Sequence, residues 1–159
     1  MSELFEVTEL LRLAVEDERT GVSLYEALAG AVRGQDLRAL FQRLVGQERN
    51  HQKRFEKLLE QLGGHRPREE YDGQYVAYLR ALTDARAFPR PEDALDAARA
   101  CRTDLEAVEL ALLYERQTLE LFHELEDLVG TTHRSAVEDV VREERAHVVE
   151  LAEARRTLR

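Results

Sequence analysis

Laid with residue 36 on residue 132, the two ends of the chain align without a gap. Gly34 falls on Gly130, Asp36 on Thr132, "LVGQE" at 44–48 on "VVREE" at 140–144, and His51 on His147. A repeat of this kind is one supersecondary unit used twice. Each copy has apolar residues at helical spacing on both sides of a glycine-marked break, so each reads as a helical hairpin.

The expected helices cover about 4–33, 36–62, 104–129 and 132–157. Gly34 is expected to end the first in a left-handed cap and Asp36 to cap the second, which Gly63 and Gly64 close. Thr103 and Glu106 have capping-box spacing for the third helix, and Thr132 is expected to cap the fourth. The crossover at 63–103 holds two weaker helical patterns, "QYVAYLRALT" and "PEDALDAARA", separated by the proline-bearing "ARAFPRP". The expected fold is therefore all-α: a single domain over 1–159, in which two repeated hairpins and a long crossover with short helices build a four-helix bundle.

Composition agrees with long amphipathic helices: 43% hydrophobic and 35% charged residues, with only three prolines among 159 residues. A formal charge of −9 argues against nucleic acid or an anionic membrane as the main partner. No apolar run reaches the roughly 20 residues that span a bilayer, and "MSELFEVTEL" is acidic where a secretory signal would be basic, so a cytoplasmic location is expected. The lone Cys101 forms no internal disulfide and belongs to no Cys-x-x-Cys site; it is expected to be a small buried apolar residue.

Helix neighbours at three, four and seven positions separate surface glutamates from interior ones. Glu16 is surrounded by Glu9, Arg12, Arg19, Thr20 and Ser23, and Glu109 has Arg102 and Arg116 as its seven-residue neighbours, as solvated residues should. Glu18 instead has Leu11, Ala14, Val15, Val22 and Tyr25, and Glu48 has Phe41, Leu44, Val45, His51 and Phe55. Glu115 lies among Val108, Ala111, Leu112, Thr118, Leu119 and Phe122; Glu144 lies among Val137, Val140, Val141, His147, Val148 and Leu151. Each long helix thus carries one glutamate in the middle of its apolar stripe.

Buried carboxylates are very costly unless paired, hydrogen-bonded or bound to metal, and no Lys or Arg shares these stripes nearby. Two divalent ions would balance four carboxylates, and oxygen-plus-imidazole ligation suits iron or manganese. Glu48/His51 and Glu144/His147 are Glu-x-x-His pairs, whose members stand about 60° apart and ~4.5 Å along a helix, close enough to meet one metal. Glu18 precedes Glu48 by 30 residues and Glu115 precedes Glu144 by 29, which sets each single Glu opposite a pair. The expected ligands are Glu18, Glu48, His51, Glu115, Glu144 and His147.

Here the chain resembles the rubrerythrin-like branch of the ferritin-like di-iron proteins. Glu18 and Tyr25 match the family's first-helix Glu-x-x-x-x-x-x-Tyr, Glu115 matches its third-helix ligand, and the two Glu-x-x-His pairs match those of the second and fourth helices. The resemblance implies two iron ions, with Glu48 and Glu144 as bridges and Glu18 and Glu115 as terminal ligands. It also implies an oxidoreductase acting on hydrogen peroxide or dioxygen, an external electron donor such as a rubredoxin-like protein, and a homodimer.

Rubrerythrins usually carry a second Glu three residues after the third-helix ligand, where this chain has Thr118, and a four-cysteine rubredoxin segment that is not found before Arg159. Thr118 is a candidate to line the open side of the metal pair; Tyr25 reads as core packing first, with a hydrogen bond to a ligand carboxylate or the supply of an electron as the alternative. Tyr114 is expected to point about 100° away from Glu115 and to pack against another element. His65, His123 and His133 are expected outside the site. A non-catalytic iron-binding, storage or delivery module, a metal-stabilised bundle and a plain helical interaction protein are the competing readings.

Overall fold

A computed structural model of the chain describes residues 7–62, 73–86, 88 and 90–158. Among the described residues there are six helices: α1 (Val7–Ala31), α2 (Gln35–Leu62), α3 (Gly73–Asp84), α4 (Pro91–Ala100), α5 (Asp104–Leu128) and α6 (Thr131–Thr157). Helix α1 packs along α2 and α5 along α6, while α1 also meets α4 and α5. The four long helices form the bundle, and α3 and α4 are the crossover's two short helices. The expected start of the first helix at residue 4, the Gly63–Gly64 stop and His65 lie outside the described residues.

The hairpin turns use different chemistry from that expected. Helix α1 ends at Ala31, and Gly130 is the one glycine at positive φ among the described residues, so Gly34 is not a left-handed cap. The Arg38 guanidinium instead donates to the carbonyls of Ala29 (3.2 Å) and Val32 (2.8 Å), covering open acceptors at the end of α1. Asp104 accepts from the Arg33 and Gly34 N–H groups at 2.8 and 2.9 Å, which ties the start of α5 to the first turn. A Cβ on Gly34 would stand 3.1 Å from Asp104 Oδ2, so glycine serves close approach here.

Asp36 falls in the first turn of α2 and is not its cap. Thr132 likewise lies inside α6, whose N-cap is Gly130 at φ 73, without a side-chain cap bond. Thr103 does cap α5, accepting from the Glu106 N–H at 3.1 Å. The Glu106 carboxylate accepts from the Arg102 N–H (2.6 Å), one residue before the donor of an ordinary capping box.

The interior is divided into two apolar clusters. One contains Leu24, Leu28, Phe41, Leu44, Val108, Leu112 and Leu151; the other contains Leu11, Val15, Phe55, Leu58, Leu121, Phe122 and Val141. Along α1 the second cluster stops at Val15 and the first resumes at Leu24; along α2 the first stops at Val45 and the second resumes at Phe55. The order alternates again in α5 and α6, as adjacent antiparallel helices require. Each buried Leu or Phe contributes about 1.5–3 kcal/mol, so the clusters drive assembly and leave a polar layer between them.

The crossover runs along this divided core. Val76 and Leu79 of α3 join the cluster that holds Leu11, and Ala94 and Ala98 of α4 join the one that holds Leu24. Tyr75 and Tyr78 donate to the two oxygens of Glu124 on α5, at 2.7 and 2.9 Å. Between the short helices Arg86 enters at the polar layer, where it pairs with the buried Asp17.

Candidate metal centre

All six expected ligands occupy the polar layer. Glu18, Glu48, His51, Glu115 and Glu144 are fully buried and His147 is 1% exposed. The helical stripes predict this burial for the four glutamates, whose neighbours one turn before them (Ala14 and Val15, Leu44 and Val45, Ala111 and Leu112, Val140 and Val141) belong to the apolar clusters.

The donor atoms fall into two groups. One joins Glu18, Glu48, His51 and Glu144, the other Glu48, Glu115, Glu144 and His147, and within each group the ligand atoms lie within 4.8 Å of one another. Glu48 and Glu144 belong to both, the position of bridging carboxylates, whereas Glu18 and Glu115 each belong to one. Both imidazoles face inward through Nδ1. His51 Nδ1 is 2.7 Å from Glu144 Oε1 and 3.7 Å from Glu18 Oε1; His147 Nδ1 is 2.8 Å from Glu144 Oε2, 3.3 Å from Glu115 and 3.4 Å from Glu48. The rings themselves are nearly parallel, with centroids 5.6 Å apart.

Closeness is not hydrogen bonding here. Both oxygens of Glu18 and of Glu144, Oε1 of Glu48, Oε2 of Glu115 and Nδ1 of both histidines are buried without a hydrogen-bond partner. An orphaned buried polar atom costs roughly 1–3 kcal/mol, and more when charged. So many lone pairs converging on two points fit a pair of cations, and their oxygen and imidazole character fits iron or manganese.

Electrostatics agree. Burial, then the charges of Glu48 and Glu144, hold the Glu18 carboxyl well above its ordinary range; burial and Glu144 do the same to Glu115. Glu48 is pushed up to about 7 by burial and by Glu144. Burial also opposes ionisation of Glu144, but contact with His147 and His51 outweighs it and brings the group to about 2. Burial opposes charge on His147 too, yet Glu115 and Glu144 push it up to about 11. Without metal, the His147 imidazolium supplies positive charge among the carboxylates.

Tyrosines hold two of the carboxylates. The Tyr25 hydroxyl donates to Glu115 Oε1. Tyr114, expected to pack elsewhere, is buried with its hydroxyl 3.0 Å from Glu48 Oε2 and 3.0 Å from the Asp17 carbonyl. Gly21 leaves the space this needs, since a Cβ there would overlap the Tyr114 hydroxyl and Glu48 Oε2. Thr118 is buried, but its hydroxyl donates to Asp17 Oδ2 at 2.6 Å and so faces the Asp17–Arg86 pair rather than open space beside the metals.

Asp17 and Tyr114 were discoverable by the same neighbour test. Asp17 has Leu10, Leu13, Ala14, Gly21 and Leu24 at helical spacing, and Tyr114 has Ala107, Leu110, Ala111, Thr118 and Leu121. Arg86 carries no such signal, because it follows the end of α3. His123 is exposed and pairs with Glu126 at 3.3 Å, and His133 lies in the first turn of α6. Cys101 is only partly buried, with Sγ 3.6 Å from the Ala97 carbonyl.

Six candidate ligands on four bundled helices, two of them shared between two donor groups, are the arrangement of the ferritin-like class of dinuclear carboxylate proteins. Within that class the chain belongs to the Rubrerythrin family, whose sequence model matches residues 9–154. A solved structure described as that of a ferritin-like diiron-carboxylate protein from Thermotoga maritima is similar in fold, with a TM-score of 0.69, 22% identity and 98% of each chain covered. No curated protein matches the sequence. Among the described residues no helix is long and apolar enough to cross a membrane.

Proposed function

We propose that the protein is a di-iron oxidoreductase that reduces hydrogen peroxide or dioxygen, with electrons from an external donor such as a rubredoxin-like protein. The observation that carries this reading is the sharing of Glu48 and Glu144 between two buried donor groups whose lone pairs lack protein partners. Membership of the Rubrerythrin family and the description of the Thermotoga maritima protein support iron as the metal.

Glu18 and His51 would hold one ion and Glu115 and His147 the other, with Glu48 and Glu144 between them. When bound, an iron pair supplies two electrons, one from each ion, which with two protons convert hydrogen peroxide to two waters. The protein's part is positioning and exclusion of water. Tyr25 fixes Glu115 and Tyr114 fixes Glu48. The Tyr25 proton stays on its oxygen, because burial and then the Glu115 charge raise that hydroxyl well above its ordinary value. Apolar clusters on both sides of the layer keep the carboxylates out of bulk water.

Protein loaded anaerobically with Fe(II) is expected to hold about two irons per chain, one for each donor group. It should consume peroxide over many turnovers when a reductant is supplied. Oxidation that stops after one equivalent, with iron retained, would assign the centre to storage or delivery instead. Failure to bind any transition metal would overturn the dinuclear reading.

A further inference from the structure

The two halves of the centre differ outside the ligand set. His51 Nε2, the ring nitrogen turned away from the donor groups, is 2.8 Å from Glu143 Oε2. Glu143 in turn accepts from Arg54 Nη1, also at 2.8 Å. An imidazole whose outer N–H is held by a carboxylate is fixed in orientation and made a stronger metal donor.

The repeat predicts the counterpart. Glu143 immediately precedes the ligand Glu144 on α6 and reaches across to the histidine of α2. Its equivalent, 96 residues earlier, is Gln47, which immediately precedes Glu48 on α2 and corresponds in the pseudo-twofold to a partner for His147 on α6. His147 Nε2 and Gln47 Oε1 are both buried, and neither makes a hydrogen bond. Once Nδ1 binds a metal, Nε2 carries the ring proton and is a donor, while Gln47 Oε1 is an acceptor. Glu150, the nearest carboxylate along α6 after the ligand pair, has both oxygens engaged by Arg43.

We infer that the two metal positions are unequal: Glu143 makes the His51 position the tighter one, and Gln47 is the neutral positioning residue for His147. The inference rests on the dinuclear reading and extends it. One half of the repeat supplies an ionised carboxylate, itself paired with Arg54, behind its histidine, the other only an amide dipole. The ion nearer His51 therefore binds first and leaves last, and the ion nearer His147 is the exchangeable one.

The test is an anaerobic Co(II) titration of the metal-free chain, followed through the visible ligand-field bands of the bound ion. The wild type should bind in two resolved steps. Glu143→Gln makes both outer partners amides and should weaken the tighter step roughly 10–100-fold, the range for loss of such a partner, while leaving the weaker step in place. Gln47→Glu makes both partners carboxylates and should tighten the weaker step, so the argument does not depend on either variant alone. Two equal affinities in the wild type, or a Glu143→Gln change that loosens both steps alike or neither, would overturn the inference. Absence of any Co(II) binding would overturn the dinuclear reading with it, whereas resolved binding without peroxide turnover by the iron-loaded protein would overturn only the proposed redox function.

Discussion

The Tyr114 hydroxyl lies at equal distance, 3.0 Å, from Glu48 Oε2 and from the backbone carbonyl of Asp17, on the neighbouring helix α1. One proton thus serves Glu48, a carboxylate shared by both donor groups, and the chain position next to Glu18. Tyr114→Phe removes it without opening a cavity. Thermal stability should fall by about 0.5–1.5 kcal/mol, the usual net worth of such a bond. Metal affinity should fall as well, because Glu48 loses the hydrogen bond that positions its Oε2; calorimetry and a competitive chelator assay measure the two effects, and unchanged metal affinity would mean that Tyr114 is packing alone.

Glu18 separates metal binding from stability. Both its oxygens are buried without hydrogen bonds. Glu18→Gln should therefore leave the metal-free protein unchanged or more stable at pH 8, while removing metal from the His51 position. At free metal one hundredfold above Kd, each intact position adds about 2.7 kcal/mol, equivalent to roughly 5–10 °C in Tm for a domain of this size. Scanning calorimetry with and without chelator checks both arms. A metal-free variant much less stable than wild type would contradict the cost assigned to this carboxylate.

The pH dependence of the metal-free protein has a definite sign. Glu48 is raised from 4.5 to about 7 by burial and the Glu144 charge. The fold then binds a proton that the unfolded chain has released, so stability falls as pH rises between those values. His147 works in the same direction: against the opposing effect of burial, Glu115 and Glu144 raise it from 6.5 to about 11, and its contribution is present below 6.5 and lost toward 11. Glu144 opposes them only in acid, since its lowered value of about 2 makes its contribution vanish as pH falls below 4.5. Urea midpoints should decline steadily from pH 5 to pH 9 without metal, and a flat profile would show that the layer does not hold these protons.

Arg86 and Asp17 form an ion pair with side chains 10% and 3% exposed. Removing Arg86 alone leaves Asp17, among the described residues, with the Thr118 hydroxyl and should cost about 3–5 kcal/mol. The Asp17→Asn, Arg86→Leu double variant should recover most of that loss. A double-mutant cycle by urea denaturation gives the coupling, and additive single effects would mean that the crossover is not anchored here.

Much of this centre was legible because it repeats and because carboxylates inside apolar stripes have few explanations. Glu18, Glu48, Glu115 and Glu144 each declare themselves through neighbours on their own helix, and the two short crossover helices declare themselves by period. What escaped depends on contacts between helices. Tyr114 was set aside because it faces away from Glu115, yet it reaches Glu48 on another helix. Arg38 and Asp104 close the first hairpin from 9 and 70 residues away, which no local capping rule anticipates. Thr118 was placed beside the metals because it stands where the resembled family carries a second Glu, whereas its hydroxyl is claimed by Asp17 across the bundle.

The polar layer between the two apolar clusters has a consequence for where the molecule is weakest. Isolated helices fray from their ends, and amide protection ordinarily rises toward the middle. Here the middle of every long helix carries the buried carboxylates or imidazoles, while the apolar anchors lie above and below. Stripped of metal, the bundle is two hydrophobic drums joined by a charged waist, and its amides near Glu18, Glu48, Glu115 and Glu144 should exchange faster than those a turn or two toward either end. Ions at the waist would reverse that profile and make the two drums unfold as one.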